Sequence, residues 1–131
     1  METVSTDALA AFAGEKYLNL ETYRRTGTPV RTPVWFARDD RDPATLYVYT
    51  EINAGKLKRI RNNPAVKIAP CNMRGTVKGE WTPATARLVD GDEAARGHEL
   101  LNRKYWPKRL VAFLSPGRRA KQQIIAIRAP S

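Results

Sequence analysis

The feature that most constrains the fold is a change of hydrophobic period that sets in at Lys16. From there to Thr50 the chain reads KYLNLETYRRTGTPVRTPVWFARDDRDPATLYVYT. Leu18, Leu20 and Thr22 alternate with Asn19, Glu21 and Tyr23. Val30, Thr32, Val34 and Phe36 alternate with Arg31, Pro33, Trp35 and Ala37, and Leu46 and Val48 alternate with Tyr47 and Tyr49. A period of two sends successive side chains to opposite faces of a strand. The linking stretches RTGTP and RDDRDPA have the Gly, Pro and Asp content of hairpin connections. The segment therefore reads as three antiparallel strands.

The same reading continues along the chain. AVKIAPC, residues 65–71, is a fourth strand and NMRGT a turn. GEWTPATARLV, residues 79–89, is a fifth strand, in which Pro83 predicts an edge or bulge because proline cannot donate to a ladder. QQIIAIRA, residues 122–129, closes the series. A helix is expected from about Ala54 to Asn62, capped by Asn53, with Ala54, Leu57 and Ile60 on one face and Asn63-Pro64 as its stop. A second runs from about Asp92 to Tyr105, and a shorter one opened by Pro107 precedes a loop at SPGRR. TDALAAFAG predicts a short helix capped by Thr6 or Asp7 and closed by Gly14, so residues 1–14 form a helix or arm. The whole is a mainly β (α+β) antiparallel barrel with short helices, and residues 1–131 form a single domain.

Charge is unevenly placed. The net charge is +10, yet Ile52 to Gly79 holds seven basic residues and no acid, and Leu100 to the C-terminus holds eight and no acid. Such blocks predict a polyanionic partner, and nucleic acid, an anionic membrane surface or a phosphorylated cofactor all qualify. Only modest aromatic interleaving and no recognised nucleic-acid motif accompany the charges, so nucleic acid ranks low. The N-terminus lacks a basic leader pattern and no apolar run is long enough to span a bilayer. One cysteine, Cys71, and one histidine, His98, leave no internal disulfide and no Cys/His zinc cluster. The expected compartment is the cytoplasm.

The stretch TEINAGKLKRIR, residues 50–61, concentrates this charge at a helix start. Lys56, Lys58, Arg59 and Arg61 have no acid at i±3 or i±4, and a helix start is already electropositive. Most charge runs are solvated faces; here the cations either splay into water or hold an anion. By helical spacing, Lys56 and Arg59 border one side of the apolar stripe, and Lys58 and Arg61 the other. Asn53, Ala54 and Gly55 form a turn that can bring backbone N–H groups close to a phosphate. In TPVWFA, Pro33 and Trp35 share the face opposite Val34 and Phe36. Trp35 fits core packing, or, with Tyr47 and Tyr49, an aromatic wall for a planar ligand. Neither GxGxxG nor GxxxxGK[ST] occurs, and His98 and Cys71 have no evident catalytic partners, so an enzyme of this type needs a cofactor to supply its chemistry.

Taken together, KYLNLETYRRTGTPVRTPVWFA, LYVYTEINAGKLKRIRNNPAVKIAPCNMRG and GEWTPATARL resemble the pyridoxamine 5'-phosphate oxidase-like split β-barrel superfamily, which has the FMN-binding barrel fold. More narrowly they resemble its deazaflavin-dependent reductases, which use coenzyme F420 and are common in actinobacteria. The resemblance implies a homodimer with cofactors at the subunit interface. It implies that Arg31, Thr32, Pro33, Val34 and Trp35 contact the tricyclic ring, and that Thr50, Ala54, Gly55, Lys56, Lys58 and Arg59 contact the phosphate and anionic tail. Cys71, Asn72 and Arg74 lie near the same site, and Trp81 faces the partner protomer's cofactor. Relatives that use FMN carry a basic residue at the end of the second-strand motif and a Ser-Arg-Lys-like triplet in the phosphate turn. Here those places are Phe36 and Ala54-Gly55-Lys56, which favours F420 over the alternative, FMN. The implied activity is hydride transfer from reduced F420 to an electron-poor small molecule; relatives reduce tetrapyrroles, quinones and unsaturated lactones. Positioning rather than acid–base chemistry is its mechanism, so no catalytic residue and no metal ligand is assigned. The rival reading is a binding protein that holds F420, FMN or another anion without turnover.

Overall fold

The alternating segments become the wall of a barrel. The computed structural model describes residues 7–105 and 122–130. Strands β1 (Tyr17–Tyr23), β2 (Pro29–Arg38) and β3 (Thr45–Glu51) are followed by helix α1 (Gly55–Asn62) and strands β4 (Ala65–Cys71) and β5 (Thr82–Val89). Helix α2 (Gly91–Tyr105) and strand β6 (Gln122–Arg128) complete the described elements. All pairings are antiparallel, and the strands close in the order β1-β2-β3-β6-β5-β4. This is the mainly β split barrel expected from sequence. The helix expected at Pro107 and the loop SPGRR lie outside the described residues.

The period of two sets which side chains fill the barrel. Leu18, Leu20, Val34, Phe36, Leu46, Val48, Ile68, Ile125 and Ile127 form its buried interior. Helix α1 packs onto this cluster through Leu57 and Ile60. Burying two such side chains contributes about 1.5–3 kcal/mol each, enough to seat a helix of poor intrinsic stability. Opposite-parity residues Ala37, Tyr47, Ile124 and Ala126 lie on the outer face, beneath Leu100, Leu101 and Tyr105 of α2. Gly97 lets that helix come close: a Cβ there would lie 2.9 Å from Ile124 Cγ2 and 3.2 Å from the Tyr47 ring. Tyr47 donates to Glu93 Oε2 at 3.0 Å, and Arg87 grips both oxygens of Glu93, tying α2 to the barrel.

Two expectations at helix starts are corrected. The short helix closed by Gly14 is a 3-10 turn, Ala10–Phe12. Asp7 Oδ1 accepts from the Leu9 N–H at 3.1 Å, as a cap should, but Leu9 and Phe12 are drawn into the barrel core and the chain turns at Gly14, φ 78°. The cap of α1 is Ala54, not Asn53, and among the described residues no side-chain cap bond is made at its start.

The decisive irregularity is a fork. β2 and β3 share only three register pairs, Phe36↔Val48, Ala37↔Tyr47 and Arg38↔Leu46. β2 nevertheless stays paired with β1 from Pro29 to Trp35, and β3 with β6 as far as Glu51. Between Trp35 and Tyr49 the two strands separate, and among the described residues 29–35 has a strand neighbour on one side only. Pro33 lies in that half-open stretch, where a missing N–H costs least. Pro83 is placed by the same logic: β4 flanks it, whereas pairing with β6 begins at Thr85.

Candidate functional site

The limbs of the fork and helix α1 bring the basic helix start against the barrel mouth. Thr22, Thr32 and Thr50 share the parity of the interior-facing residues on β1, β2 and β3; Thr22 and Thr50 sit near the ends of their strands and Thr32 in the limb of β2 that β3 does not pair. Lys56 Nζ donates to Thr50 Oγ1 at 3.3 Å, and Arg59 Nε donates to Thr22 Oγ1 at 2.7 Å. Both partners are neutral hydroxyls, and among the described residues no carboxylate pairs with either cation. Burial, with the charge of Arg59 beside it, holds the Lys56 ammonium below its ordinary pKa. Burial and the charge of Arg24 act on Arg59 in the same direction. Arg59 also folds back over the helix start, since a Cβ on Gly55 would lie 2.9 Å from its Nη1.

Electrostatically this is an unfinished cluster. Half-buried cations set side by side repel, and the uncapped N–H groups of α1 add to the positive potential. An anion within about 4 Å of one of these cations would gain on the order of a few kcal/mol in a partly shielded site. The opposite edge of the helix behaves differently: Lys58 and Arg61 are exposed, so only one of the two cationic edges expected from sequence meets the mouth. Ala54 supplies backbone alone.

The outward side of the fork holds a second group of expected residues. Arg31 Nε donates to Glu21 Oε1 at 2.7 Å, and its guanidinium carbon lies 4.7 Å from the Trp81 ring centroid. Burial works against a charged Glu21, but hydrogen bonds from Tyr23 and Arg31 outweigh it and hold the carboxyl below the usual range. Burial and Glu21 together push the Tyr23 phenol up to about 12. Arg31 is therefore fixed, and Trp81 is brought to it. The turn after β4 lies against the open limb: Asn19 Nδ2 donates to Gly75 O at 2.9 Å, and a Cβ on Gly75 would be 3.7 Å from Pro33. Within this turn Asn72 Oδ1 accepts from the N–H groups of Arg74 and Thr76, so its oxygen serves the turn itself.

Other expected residues are placed where their side chains pack. Val34 faces the core and Cys71 is buried, its thiol pushed up mainly by burial. Trp35 stacks on Tyr105, with ring centroids 4.6 Å apart and planes 10° apart, and meets Tyr49 edge-on at 6.3 Å. Tyr47 is buried beneath α2, so the wall of three aromatics is reduced to Trp35 and Tyr49. Four contributors were missed in the sequence: Asn19, Glu21, Thr22 and Arg24. Thr22 carried a usable signal, because it is the one hydroxyl among the inward positions of β1. The others depend on tertiary neighbours that no local pattern reveals.

Residues 5–128 match the family described as pyridoxamine 5'-phosphate oxidase. The chain belongs to this family. Solved structures agree on the fold. An F420 reductase is 21% identical, with 98% of this chain and 97% of that chain covered and a TM-score of 0.61. A conserved hypothetical protein from Mycobacterium tuberculosis is 20% identical, with 98% and 82% covered and a TM-score of 0.69. The heme storage protein HutZ from Vibrio cholerae is 16% identical, with 90% and 84% covered and a TM-score of 0.65. Identities this low establish the split barrel alone, and these relatives differ in what they are named for. No curated protein matches the chain. No described helix is long and apolar enough to cross a membrane.

Proposed function

We propose that this chain binds coenzyme F420 at the fork and transfers a hydride from the reduced deazaflavin to an electron-poor organic small molecule. The observation that carries the reading is the pair Lys56 and Arg59, half-buried at the start of α1 and, among the described residues, bonded through their side chains only to threonine hydroxyls. A phosphorylated cofactor fits these residues: it completes the charge cluster and takes up first-turn N–H groups that no described side chain caps. When bound, F420 supplies the hydride at C5 of its ring. The chain binds and orients. Thr50, Gly55, Lys56 and Arg59 hold the phosphate, with Ala54 providing backbone and Lys58 long-range charge. The limb 31–35, open on one side, offers backbone groups to the rim of the ring, and Cys71, Asn72 and Arg74 flank it. Glu21 holds Arg31 in place beside Trp81.

F420 is preferred over FMN because it carries more negative charge than a single phosphate, matching a cluster that includes Arg24. An F420 reductase is among the solved structures that share this fold. The functional unit in this reading is a cytoplasmic homodimer, and the exposed apolar side chains Ile52, Met73 and Val77 beside the site give a second copy something to cover. The test is oxidation of reduced F420, followed by absorbance, across quinones, unsaturated lactones and linear tetrapyrroles. Turnover with at least one acceptor class is expected. Tight binding with no oxidation across the panel would instead make the protein a carrier of the cofactor.

A further inference from the structure

A lysine on a helix surface normally lays its carbon stem along the protein and stretches its ammonium into water. Lys104 does the opposite. It lies in the last turn of α2 and is exposed as a residue, yet its Nζ turns in to sit 3.4 Å from the centroid of the Phe36 ring and 5.3 Å from that of Tyr105. Phe36 belongs to the barrel core, and its backbone N–H and carbonyl are both bonded to the Tyr105 hydroxyl. The amine therefore rests on the rings that join α2 to β2, at the residue where the fork begins.

Among the described residues no carboxylate pairs with Lys104, and Glu15 is the one acid whose charge acts on it. Glu15 Oε1 already accepts from Lys78 Nζ at 2.8 Å. Arg103, the neighbour of Lys104 on the helix, pairs with Asp40 and Glu99. Aromatic faces attract an ammonium, but they offer it no acceptor oxygen. Burial outweighs the pull of Glu15 and lowers the pKa of the amine to about 8. Lys56 is also drawn inward, but its Nζ is given to Thr50 and lies beside Arg59. A desolvated amine without an ion-pair partner, on a side chain that solvent reaches, is the arrangement of a nucleophilic lysine.

We propose that Lys104 is an acyl-acceptor site, modified by small acyl phosphates or acyl thioesters. The neutral Nζ attacks the acyl carbonyl carbon. A C–N bond forms as the C–O bond to phosphate or the C–S bond to the thiol breaks, the leaving group takes the electron pair, and the extra proton on nitrogen passes to water. Nothing is oxidised or reduced, and the reaction needs no bound cofactor. The resulting amide carries no charge, so the contact with Phe36 and Tyr105 loses its electrostatic part at the junction of α2 with β2.

The experiment treats the purified full chain with acetyl phosphate and, separately, with acetyl coenzyme A, and follows each lysine by peptide mass spectrometry at early times. At about pH 7.5 an amine of pKa about 8 is about one-quarter neutral, against about one part in a thousand for an ordinary lysine; its lower basicity takes back much of that gain. Lys104 is therefore expected to be acetylated about tenfold or more faster than the exposed Lys58 and Lys67. Its rate levels off above a pH of about 8, while theirs keep climbing to about pH 10. The donor that shows the preference identifies the source of the acyl group. In guanidinium chloride the preference disappears, because the fold creates it. Acetylation of Lys104 no faster than that of Lys58 and Lys67 with either donor, a rate that climbs in parallel with theirs, or a preference that survives unfolding overturns the proposal.

Discussion

Replacing Lys56 by alanine separates a binding role from a structural one. At about 4 Å and an effective dielectric near 20, an ammonium and a phosphate attract by about 4 kcal/mol before desolvation and screening. What remains for a charge-assisted hydrogen bond is about 1.5–3 kcal/mol. At 1.4 kcal/mol per decade, Lys56→Ala therefore weakens F420 binding by about ten- to hundredfold. Stability should barely move. Among the described residues the side chain has no carboxylate to abandon and bonds to Thr50 Oγ1 at 3.3 Å, and its removal relieves repulsion with Arg59. The expected change in unfolding free energy is within about 0.5 kcal/mol, and it can be of either sign. Fluorescence titration gives the affinity and urea melts give the stability, both at low and at high salt. The variant should also show a shallower salt dependence. Unchanged affinity would refute the anion site. A loss of stability comparable to the loss of binding would show that Lys56 is a packing residue.

Three further outcomes follow from the same geometry. Because the folded protein holds Lys56 below its ordinary value of 10.5, mainly by burial, the unfolded chain binds more protons there, and stability contributed by this group rises with pH from the lowered value up to 10.5. F420 affinity runs the other way, falling in that alkaline window as the ammonium is lost; melts and titrations across it should diverge in wild type and flatten in Lys56→Ala. Glu21→Gln removes charge-assisted bonds from Tyr23 and Arg31 and should cost about 1.5–3 kcal/mol in urea melts. Since Glu21 is held below its ordinary 4.5, wild-type stability from this group is present above that value and lost as pH falls through the lowered one, a loss the variant should lack. Gly97→Ala drives a methyl against Ile124 and Tyr47 and should lower stability by about 1–3 kcal/mol, read as a drop in Tm, with F420 affinity unchanged.

The strands were legible because their period and their turns agreed. Leu18 and Leu20 point inward as the alternation requires, and AVKIAPC is β4 residue for residue. What a single sequence could not reveal was the fork, since pairing of β2 with β3 over three residues depends on where β6 and β1 take over. The helix cap failed for a related reason: Asn53 has the right chemistry, but the turn closed by the Ala54 N–H on Glu51 O places the cap one residue later. In the site, Lys56 and Arg59 were visible as an unpaired charge run, whereas their hydroxyl partners Thr22 and Thr50 come from distant strands. Trp35 and Tyr47 show the limit of reading aromatics from a strand, because α2 claims their outward face and only tertiary structure says so.

The central claim is that the basic start of α1 holds the anionic part of a deazaflavin cofactor. A parallel titration of the purified protein with F420 and FMN at two salt concentrations, followed by cofactor fluorescence, tests it most directly. The account predicts selective binding of F420 that weakens as salt rises. Binding of neither cofactor, or F420 binding indifferent to salt, would contradict it.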